Sequence, residues 1–434
     1  MAEKKDNINL MEKIVSLCKR RGFVYPGSEI YGGFQGFYDF GPLGVEMKNN
    51  LKRLWWEWMT KEHDSIVGID GAIITNPKVW EASGHVKSFT DPLSECKKCH
   101  KRFKADDLKN NKCPECGGEL TEPRNFNILV PVQIGVIEGE KINAYLRGEA
   151  CQTIYLDYKN ILNSTRLKIP FGVCQIGKAF RNEVTPGNFL FRQREFEQWD
   201  LQWFCREKDI EKWFEFWKKE RMEWYKSIFT SPKNLGFHEH DKLAHYAKKA
   251  FDIFYEKSPS EIKEIEGIHW RGDWDLSRHQ EYSGQDLTYT DPEIKEKFIP
   301  QIVETSGGVD RTFLFLLIDA YSEEKERIVL KLNPKVAPYK AAIFPLLANK
   351  PQLTEKAKNI YENLKKEFSV YWDDRGNIGK RYFSQDEIGT PFCITIDFDS
   401  LEKDDVTVRD RDSMKQERVK ISELANYLRE KLNG

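Results

Sequence analysis

The sequence has no long apolar run. Its most apolar stretch, residues 313–318, is far too short to cross a bilayer. Residues 1–9 are charged and carry no apolar segment, so no signal peptide is expected, and the reading is of a cytoplasmic protein without a membrane partner. An excess of either charge is missing too: 68 basic side chains against 69 acidic ones leave a formal net charge of −1. That balance gives no bulk basic signature for nucleic acid, although a local basic surface is compatible with a neutral whole. Internal repeats and low-complexity tracts are absent. Cysteine is sparse and unevenly used, nine residues with two Cys-x-x-Cys pairs. Such a set fits a reducing compartment and a metal better than a disulfide framework.

What is present is apolar material for folding. The 434 residues are 40% hydrophobic and 13% aromatic, with 12 Trp. That supports two or three domains, the largest with a sizeable core. Residues 9–21 read as a short helical start and 31–44, rich in Gly and aromatics, as loop and strand edge. Met47, Leu51, Leu54, Trp55, Trp58 and Met59 fall on one face of a helix over 44–62. Residues 66–75 read as a strand halted at Pro77, since proline donates nothing to a ladder. In 211–229, Trp213, Phe214, Trp217 and Trp224 have helical spacing, read as core packing. Residues 268–285 read as charged, aromatic loops. Four prolines between 333 and 351 mark a domain junction. Beyond it, strands at 341–347, 370–372 and 392–398 alternate with a helix through Ala357, Ile360, Tyr361, Leu364 and Phe368, and with a last helix over 421–432. That alternation argues for a small α/β domain.

Cys96-x-x-Cys99 and Cys113-x-x-Cys116 each set two thiolates on a tight turn, and Gly117 and Gly118 follow the second pair. Four thiolates suit tetrahedral Zn²⁺, and a site closed by four protein ligands is structural. The alternative is four unrelated buried cysteines; His100 is a possible substitute ligand. Zinc ribbons also bind nucleic acid, so contact with an RNA end is a reasonable extension.

Arg181, Asn182 and Glu183 precede a Pro186-Gly187 turn and then the segment from Phe191 to Phe196, with Arg192 and Arg194 inside it. Apolar runs flank both sides, which predicts two strands joined by an arginine-bearing loop. A guanidinium forks onto two phosphate oxygens, so such a loop suits a polyphosphate. About 110 residues further on, Ser306-Gly-Gly308-Val-Asp310-Arg311 opens a very apolar helix. Taken singly, each arginine is equally a surface ion-pair partner.

Together these segments resemble motifs 2 and 3 of the class II aminoacyl-tRNA synthetases. The surrounding residues narrow the resemblance to the glycyl-tRNA synthetases of the single-polypeptide, homodimeric type, over about residues 31–419. The resemblance implies an α+β architecture. A catalytic domain over 1–335, built on an antiparallel sheet, would hold motif 1 (44–77), motif 2 (171–204) and motif 3 (304–318), with a zinc-ribbon-like insertion at 94–122. Residues 336–434 would form an anticodon-binding domain. The helix and strand of motif 1 would form a dimer interface; the plainer reading is one more buried helix. The implied partners are ATP, glycine, tRNA(Gly) and a second copy of the chain, with Mg²⁺ as well as Zn²⁺.

The same resemblance implies roles. Arg181 and Arg311 are the catalytic pair, on the α- and γ-phosphates. Glu183 lies near the adenine amino group, Phe196 stacks on adenine, and Arg192 holds the outer phosphates or the bent nucleotide. Asn182, Phe191, Arg194, Glu264, Ile265, Gly308 and Asp310 complete the nucleotide set, with the acid of 264–267 helping to bind metal. Activation needs no base, because the carboxylate is already ionised; positioning and charge neutralisation carry it. Glycine offers no side chain to grasp, so its selection rests on gripping the ammonium and excluding a β-carbon. The implied pit holds Glu149, Asp200, Glu304 and Ser306, with Arg102, Phe196, Glu197, Gln198 and Gly308 nearby. Ser83-Gly-His85 is also characteristic, though His85 is equally readable as a structural histidine.

Gly148, Cys151 and Thr305 depart from the pattern, as does Trp199-Asp200, where Met-Glu is usual. In the last domain Phe383 and Ser384 replace the usual pair of arginines, and Val408–Asp412 matches well. Base reading by Arg and aromatic side chains is expected there. The implied reaction is ATP-dependent formation of glycyl-adenylate, then transfer of glycine to the 3′ end of tRNA(Gly). Two alternatives stand beside it: a class II synthetase for another small amino acid, and an inactive RNA-binding paralogue, which would have lost Arg181, Glu183 or Arg311.

Overall fold

The computed structural model describes residues 2–433 apart from 106, 107, 109, 242 and 245. Met1 and Gly434, the outer limits of the two expected domains, lie outside the described residues. The organising element is a seven-stranded sheet: β1 (Ile66–Gly68), β2 (Phe171–Phe180), β3 (Glu195–Cys205), β4 (Leu235–Glu239), β5 (Lys249–Tyr255), β6 (Glu264–Gly272) and β7 (Gln301–Gly308). Their spatial order is β4-β5-β6-β7-β3-β2-β1. All neighbours run antiparallel except β1, which joins β2 in parallel. The 171–204 reading as strand, loop and strand is thus borne out.

Alternation along these strands separates two environments. On β3, Trp199, Leu201 and Trp203 point to one face and Gln198, Asp200 and Gln202 to the other. The apolar face is covered by helices. Of these, α1 (Ala2–Arg21) is longer than the expected 9–21 start. The others are α2 (Pro42–Lys61), α3 (Ile210–Ile228) and α5 (Val309–Ala320), which pack on the sheet's back, whereas α4 (Trp274–Ser283) lies on the polar side, its Asp275 bonded to Arg271. Pro42 opens α2 at a position where no backbone N–H is needed. Trp55 of α2 stacks on Trp199 at 5.7 Å between centroids, and Trp224 of α3 meets Trp199 edge-on at 5.3 Å. Such pairs add about 0.5–1.5 kcal/mol each beyond the area they bury.

This packing accounts for the apolar face of α2. Leu51, Trp55 and Met59 are fully buried within the chain, and Trp58 packs partly buried against the same core. The plainer reading of α2, a buried helix, is the one that describes its apolar face. Two expectations change. The strand expected over 66–75 splits into β1 and a two-residue strand, Ile74–Thr75, which joins Ile142–Leu146 in a separate three-stranded sheet. Pro77 starts the helix Pro77–Ala82, capped by Asn76, whose side chain accepts from the Lys78 amide at 3.0 Å. Residues 268–285, expected as loops, are the end of β6 and all of α4.

The C-terminal part has its own core around Ile343, Ile394, Val408 and Leu428. Its strands β8 (Ala341–Pro345), β9 (Val370–Trp372), β10 (Phe392–Ile396), β11 (Asp405–Asp410) and β12 (Gln416–Lys420) lie in the order β9-β8-β10-β11-β12. Helices α6 (Pro351–Leu364), α7 (Ile378–Ile388) and α8 (Leu424–Asn433) cover it. Ile388 of α7 is buried in the core of the first domain, and two sets of polar contacts add to that join. Arg327, from the hairpin of Tyr321–Glu323 and Ile328–Leu330, donates to Asp386 of α7 at 2.7 Å, and Arg409 donates to the same carboxylate at 2.8 and 2.9 Å. From α1, Arg21 donates to the carbonyl and hydroxyl of Ser384 at 2.6 and 2.7 Å, and Arg20 and Arg21 both pair with Glu387. Ser384 therefore faces the junction with α1. Arg381, Arg409 and Arg411 are buried and hydrogen-bonded inside the domain.

Candidate active site

The polar face of the sheet floors a cavity of about 410 Å³. Three buried acids from different elements meet at its base. Glu304 of β7 accepts from Gln202 at 2.8 Å and from Arg271 at 2.9 and 3.0 Å, and its other oxygen lies 2.8 Å from His269 Nδ1. Arg271 is itself buried and forks onto Asp275 at 2.8 and 3.1 Å. Glu149 reaches the cavity from the segment before the helix Gln152–Leu156. Its Oε1 accepts from the Cys151 thiol at 2.9 Å and from Gln152 at 3.0 Å, and His85 Nε2 lies 3.2 Å away. Asp200 of β3 sits just below. Its Oδ1 accepts from Gln202, while Oδ2 has no hydrogen-bond partner, although the Ser306 hydroxyl is near enough to favour ionisation slightly.

The three acids titrate apart. Burial pushes the Glu304 carboxyl up, but Arg271 and His269 outweigh it and hold the group at about 2. Burial also opposes ionisation of Glu149, yet His85 and Arg271 keep it well below the usual carboxylate range. Asp200 goes the other way, raised by burial and then by the neighbouring charges of Glu304 and Glu149. The floor thus carries two settled negative charges and a third acid that resists ionising. Ser306 closes one side, its hydroxyl accepting from Gln198 at 2.6 Å, and Gln198 in turn accepts from the Ala150 amide at 3.1 Å.

The rim is cationic. Arg181 lies between the rings of Phe89 and Phe196, 5.1 and 5.2 Å from their centroids, and donates to the Gly148 carbonyl at 3.1 Å. Arg311, at the start of α5, donates to the carbonyls of Phe191 and Glu264 at 3.2 and 3.3 Å, and Arg192 also lines the cavity. Glu183 lines it too, its carboxyl raised by burial against the pull of Arg181. Lys48 of α2 ties β3 to α5 beneath: it pairs with Glu197 at 2.9 Å and with Asp310, whose other oxygen accepts from the Glu197 backbone N–H at 2.9 Å. Gly307 is required by the packing behind, where a β-carbon would fall 2.4 Å from Trp199 Nε1.

Of the residues named from the sequence, Glu149, Arg181, Glu183, Phe191, Arg192, Phe196, Glu197, Gln198, Glu264, Glu304, Ser306, Gly308, Asp310 and Arg311 line this one cavity, with Asp200 under them. Four do not line it. Arg102 is exposed on the cysteine module and pairs with Glu95 at 3.0 Å. Arg194 spends its guanidinium on the carbonyls of Glu183 and Gln35 and so braces the loop. The backbone N–H of Asn182 donates to the Ile128 carbonyl at 2.7 Å. Ile265 is buried in the back core, beside a register shift in β6. Sequence reasoning missed Arg271, His269, Tyr246 and Lys104. The signal for the first two was present: Ile268 and Trp270 alternate with His269 and Arg271, a strand period inside a segment read as loop. Lys104 lines the cavity from the same strand as Arg102 and pairs with Asp91 at 2.6 Å.

In the cysteine module, the sulfurs of Cys96, Cys99, Cys113 and Cys116 all lie within 4.8 Å of one another. The amides of Lys98 and Cys99 point at the Cys96 sulfur, each at 3.4 Å, and help draw its thiol down to about 6. This donor set fits a tetrahedral thiolate-bound metal. His100 is turned out to solvent, toward Glu95, and is not one of the four.

Two family models match the chain. Residues 136–321 match the tRNA synthetase class II core domain (G, H, P, S and T), and residues 340–431 match an anticodon binding domain. A glycine–tRNA ligase from Treponema denticola is 50% identical over 441 residues, covering 98% of this chain and 97% of that one. Glycine–tRNA ligases from Thermobifida fusca (49% over 455 residues, 98% of each chain) and Borreliella burgdorferi (50% over 433 residues, 96% of this chain and 97% of that one) are similarly close.

Proposed function

The chain belongs to the glycine–tRNA ligases, with a class II synthetase core and a C-terminal anticodon-binding domain, and from that premise we propose how its cavity works. The enzyme activates glycine with ATP to glycyl-adenylate and passes the glycyl group to the 3′ end of tRNA(Gly). One observation carries the assignment of roles: a floor with excess buried negative charge beneath a rim of arginines. The floor takes the ammonium of glycine, through Glu149 and Glu304 with Asp200 below. Ser306 and Gln198 narrow the space that a β-carbon would need.

The rim takes ATP. Arg181, set between two rings and held by the Gly148 carbonyl, neutralises charge on the α-phosphate as the glycine carboxylate attacks. Arg311 and Arg192 grip the outer phosphates. Phe196 supplies an aromatic face and Glu183 a carboxylate for the adenine amino group. Glu264, on the rim beside Arg311, is the carboxylate suited to Mg²⁺, which when bound neutralises phosphate charge. No general base is needed, so these residues act by position and charge.

A structural Zn²⁺ on the four cysteines, a two-fold homodimer and a cytoplasmic location belong to the same reading. The zinc rests on the sulfur cluster. The dimer rests on the family resemblance; since α2 spends its apolar face internally, the contact would use other surfaces. No helix among the described residues is long and apolar enough to cross a membrane. The test of function is ATP–pyrophosphate exchange across a panel of small amino acids. Exchange driven by glycine and not by alanine or serine is expected, and a preference for another amino acid would overturn the assignment.

A further inference from the structure

His85 is 2% exposed and lies beside the cavity. It follows the helix Pro77–Ala82 through Ser83 and Gly84, and Gly84 adopts a φ of 85°, a left-handed turn that suits glycine. The turn folds the Ser83 hydroxyl back to 2.8 Å from His85 Nδ1. Trp80 and Phe89 clamp the ring edge-on, at 5.1 and 5.0 Å between centroids. The orientation is therefore fixed from three sides. Nε2 is left pointing at Glu149 Oε1, 3.2 Å away.

A carboxylate only accepts, so the hydrogen in that contact belongs to Nε2. The Ser83 hydroxyl, 2.8 Å from Nδ1, occupies the other ring nitrogen and so keeps Nε2 as the one that donates to Glu149. Cys151 and Gln152 donate to the same Oε1. Three donors thus converge on one oxygen, and among the described residues none bonds to Oε2.

We propose that His85 is a positioning residue for substrate selection: with Cys151 and Gln152 it saturates Oε1 of Glu149 and so presents Oε2 to the ammonium of glycine. The proposal rests on the reading of the cavity floor as the glycine site. Losing the imidazole frees Glu149 to rotate and turn Oε2 away, while the arginine rim is untouched. The defect should therefore appear in glycine binding and not in ATP binding.

The test uses the full-length chain and measures ATP–pyrophosphate exchange against glycine and, separately, against ATP. In His85→Ala the KM for glycine should rise about tenfold or more, with the KM for ATP within about twofold of wild type. His85→Gln, whose amide nitrogen can occupy the place of Nε2, should return the glycine KM to within about threefold, and His85→Asn, which mimics Nδ1 instead, should not. If His85→Ala fails to fold, the Gln and Asn variants decide by the same criterion. A glycine KM unchanged in His85→Ala, equal behaviour of Gln and Asn, or a parallel rise of both KM values would each overturn the proposal. A wild-type enzyme with no glycine-dependent exchange would overturn the glycine-site reading, and this proposal with it.

Discussion

Glu266 and Glu304 stand on adjacent strands, both fully buried and both bonded to a buried arginine, yet they point to opposite faces of the sheet. On the back face the charges close. Glu266 receives Arg221 at 2.6 and 3.2 Å, the Tyr225 hydroxyl at 2.8 Å and Trp199 Nε1 at 2.9 Å, all sealed under helices. On the front face they do not. Glu304 shares Arg271 with Asp275, and Glu149 and Asp200 crowd the same few ångströms. The same residue types thus make a structural rivet on one side and a surplus of acid facing the cavity on the other. The difference lies in the count of partners and in access to solvent.

The comparison breaks most sharply on the sealed side. Glu266→Ala leaves Arg221 buried without its counter-charge and should cost about 3–5 kcal/mol of stability. The urea midpoint should fall clearly, while KM values of the remaining folded enzyme stay near wild type. An unchanged midpoint would mean that the pair is not the rivet described.

An arginine facing the cavity should behave in the opposite way. Arg311→Ala should barely shift the melting temperature but remove about 3–4 kcal/mol of transition-state stabilisation, as for a lost preorganised donor. Arg181→Ala should match it. Exchange rates within a few-fold of wild type in both variants would remove the rim from the mechanism.

Glu304→Gln tests the floor. Its amide still accepts from Arg271, so folding should survive. The grip on an ammonium weakens by about 1.5–3 kcal/mol, read as a rise of about tenfold or more in the glycine KM with ATP binding kept. The pH dependence has a definite sign. Because the folded Glu304 carboxyl is held at about 2, its contribution to stability is complete above the unfolded value of about 4.3 and is lost as the pH falls through about 2. Acid unfolding of Glu304→Gln should lack that component.

The smallest effect is a proton. With Asp200 raised by burial and by Glu304, an arriving ammonium should drive it to ionise, so glycine binding should expel part of a proton. Calorimetry in two buffers of different ionisation enthalpy should show it, shrinking as the pH rises through the free-state value. Asp200→Asn should show no buffer dependence. Equal heats for wild type in both buffers would mean that the front face is already balanced.

Much of this arrangement was legible in the sequence because its signals are local. The two Cys-x-x-Cys pairs, the arginine loop between β2 and β3, and the glycines before α5 each reflect backbone geometry that neighbouring residues dictate. What was not legible depended on which face a residue takes once strands are paired. Trp199 looked like a departure beside Asp200; it is a back-face core residue whose indole bonds Glu266. Arg271 looked like a loop charge because the charges around it masked a strand's alternation. Arg102 and Lys104 lie on one short strand, and nothing in their spacing says which of them the module turns toward the cavity. The apolar stripe of α2 was readable as a face, but not as a face already claimed by Trp199 inside the same chain.

The arginines of α1 that reach Ser384 and Glu387 span more than 360 residues of sequence, from the first helix to the last domain. With Arg327 on Asp386, they close the polypeptide into a buckle: the chain leaves the first domain through 333–340 and is fastened back to it at two other places. The peptide between the domains, with Val336 and Ala337 buried in the first core, is therefore not the sole support. A cut in it would leave three arginines still holding the pieces in register. The placement of the last domain beside the first is then held by this seam, by Ile388 buried in the first core and by the packed connecting peptide together.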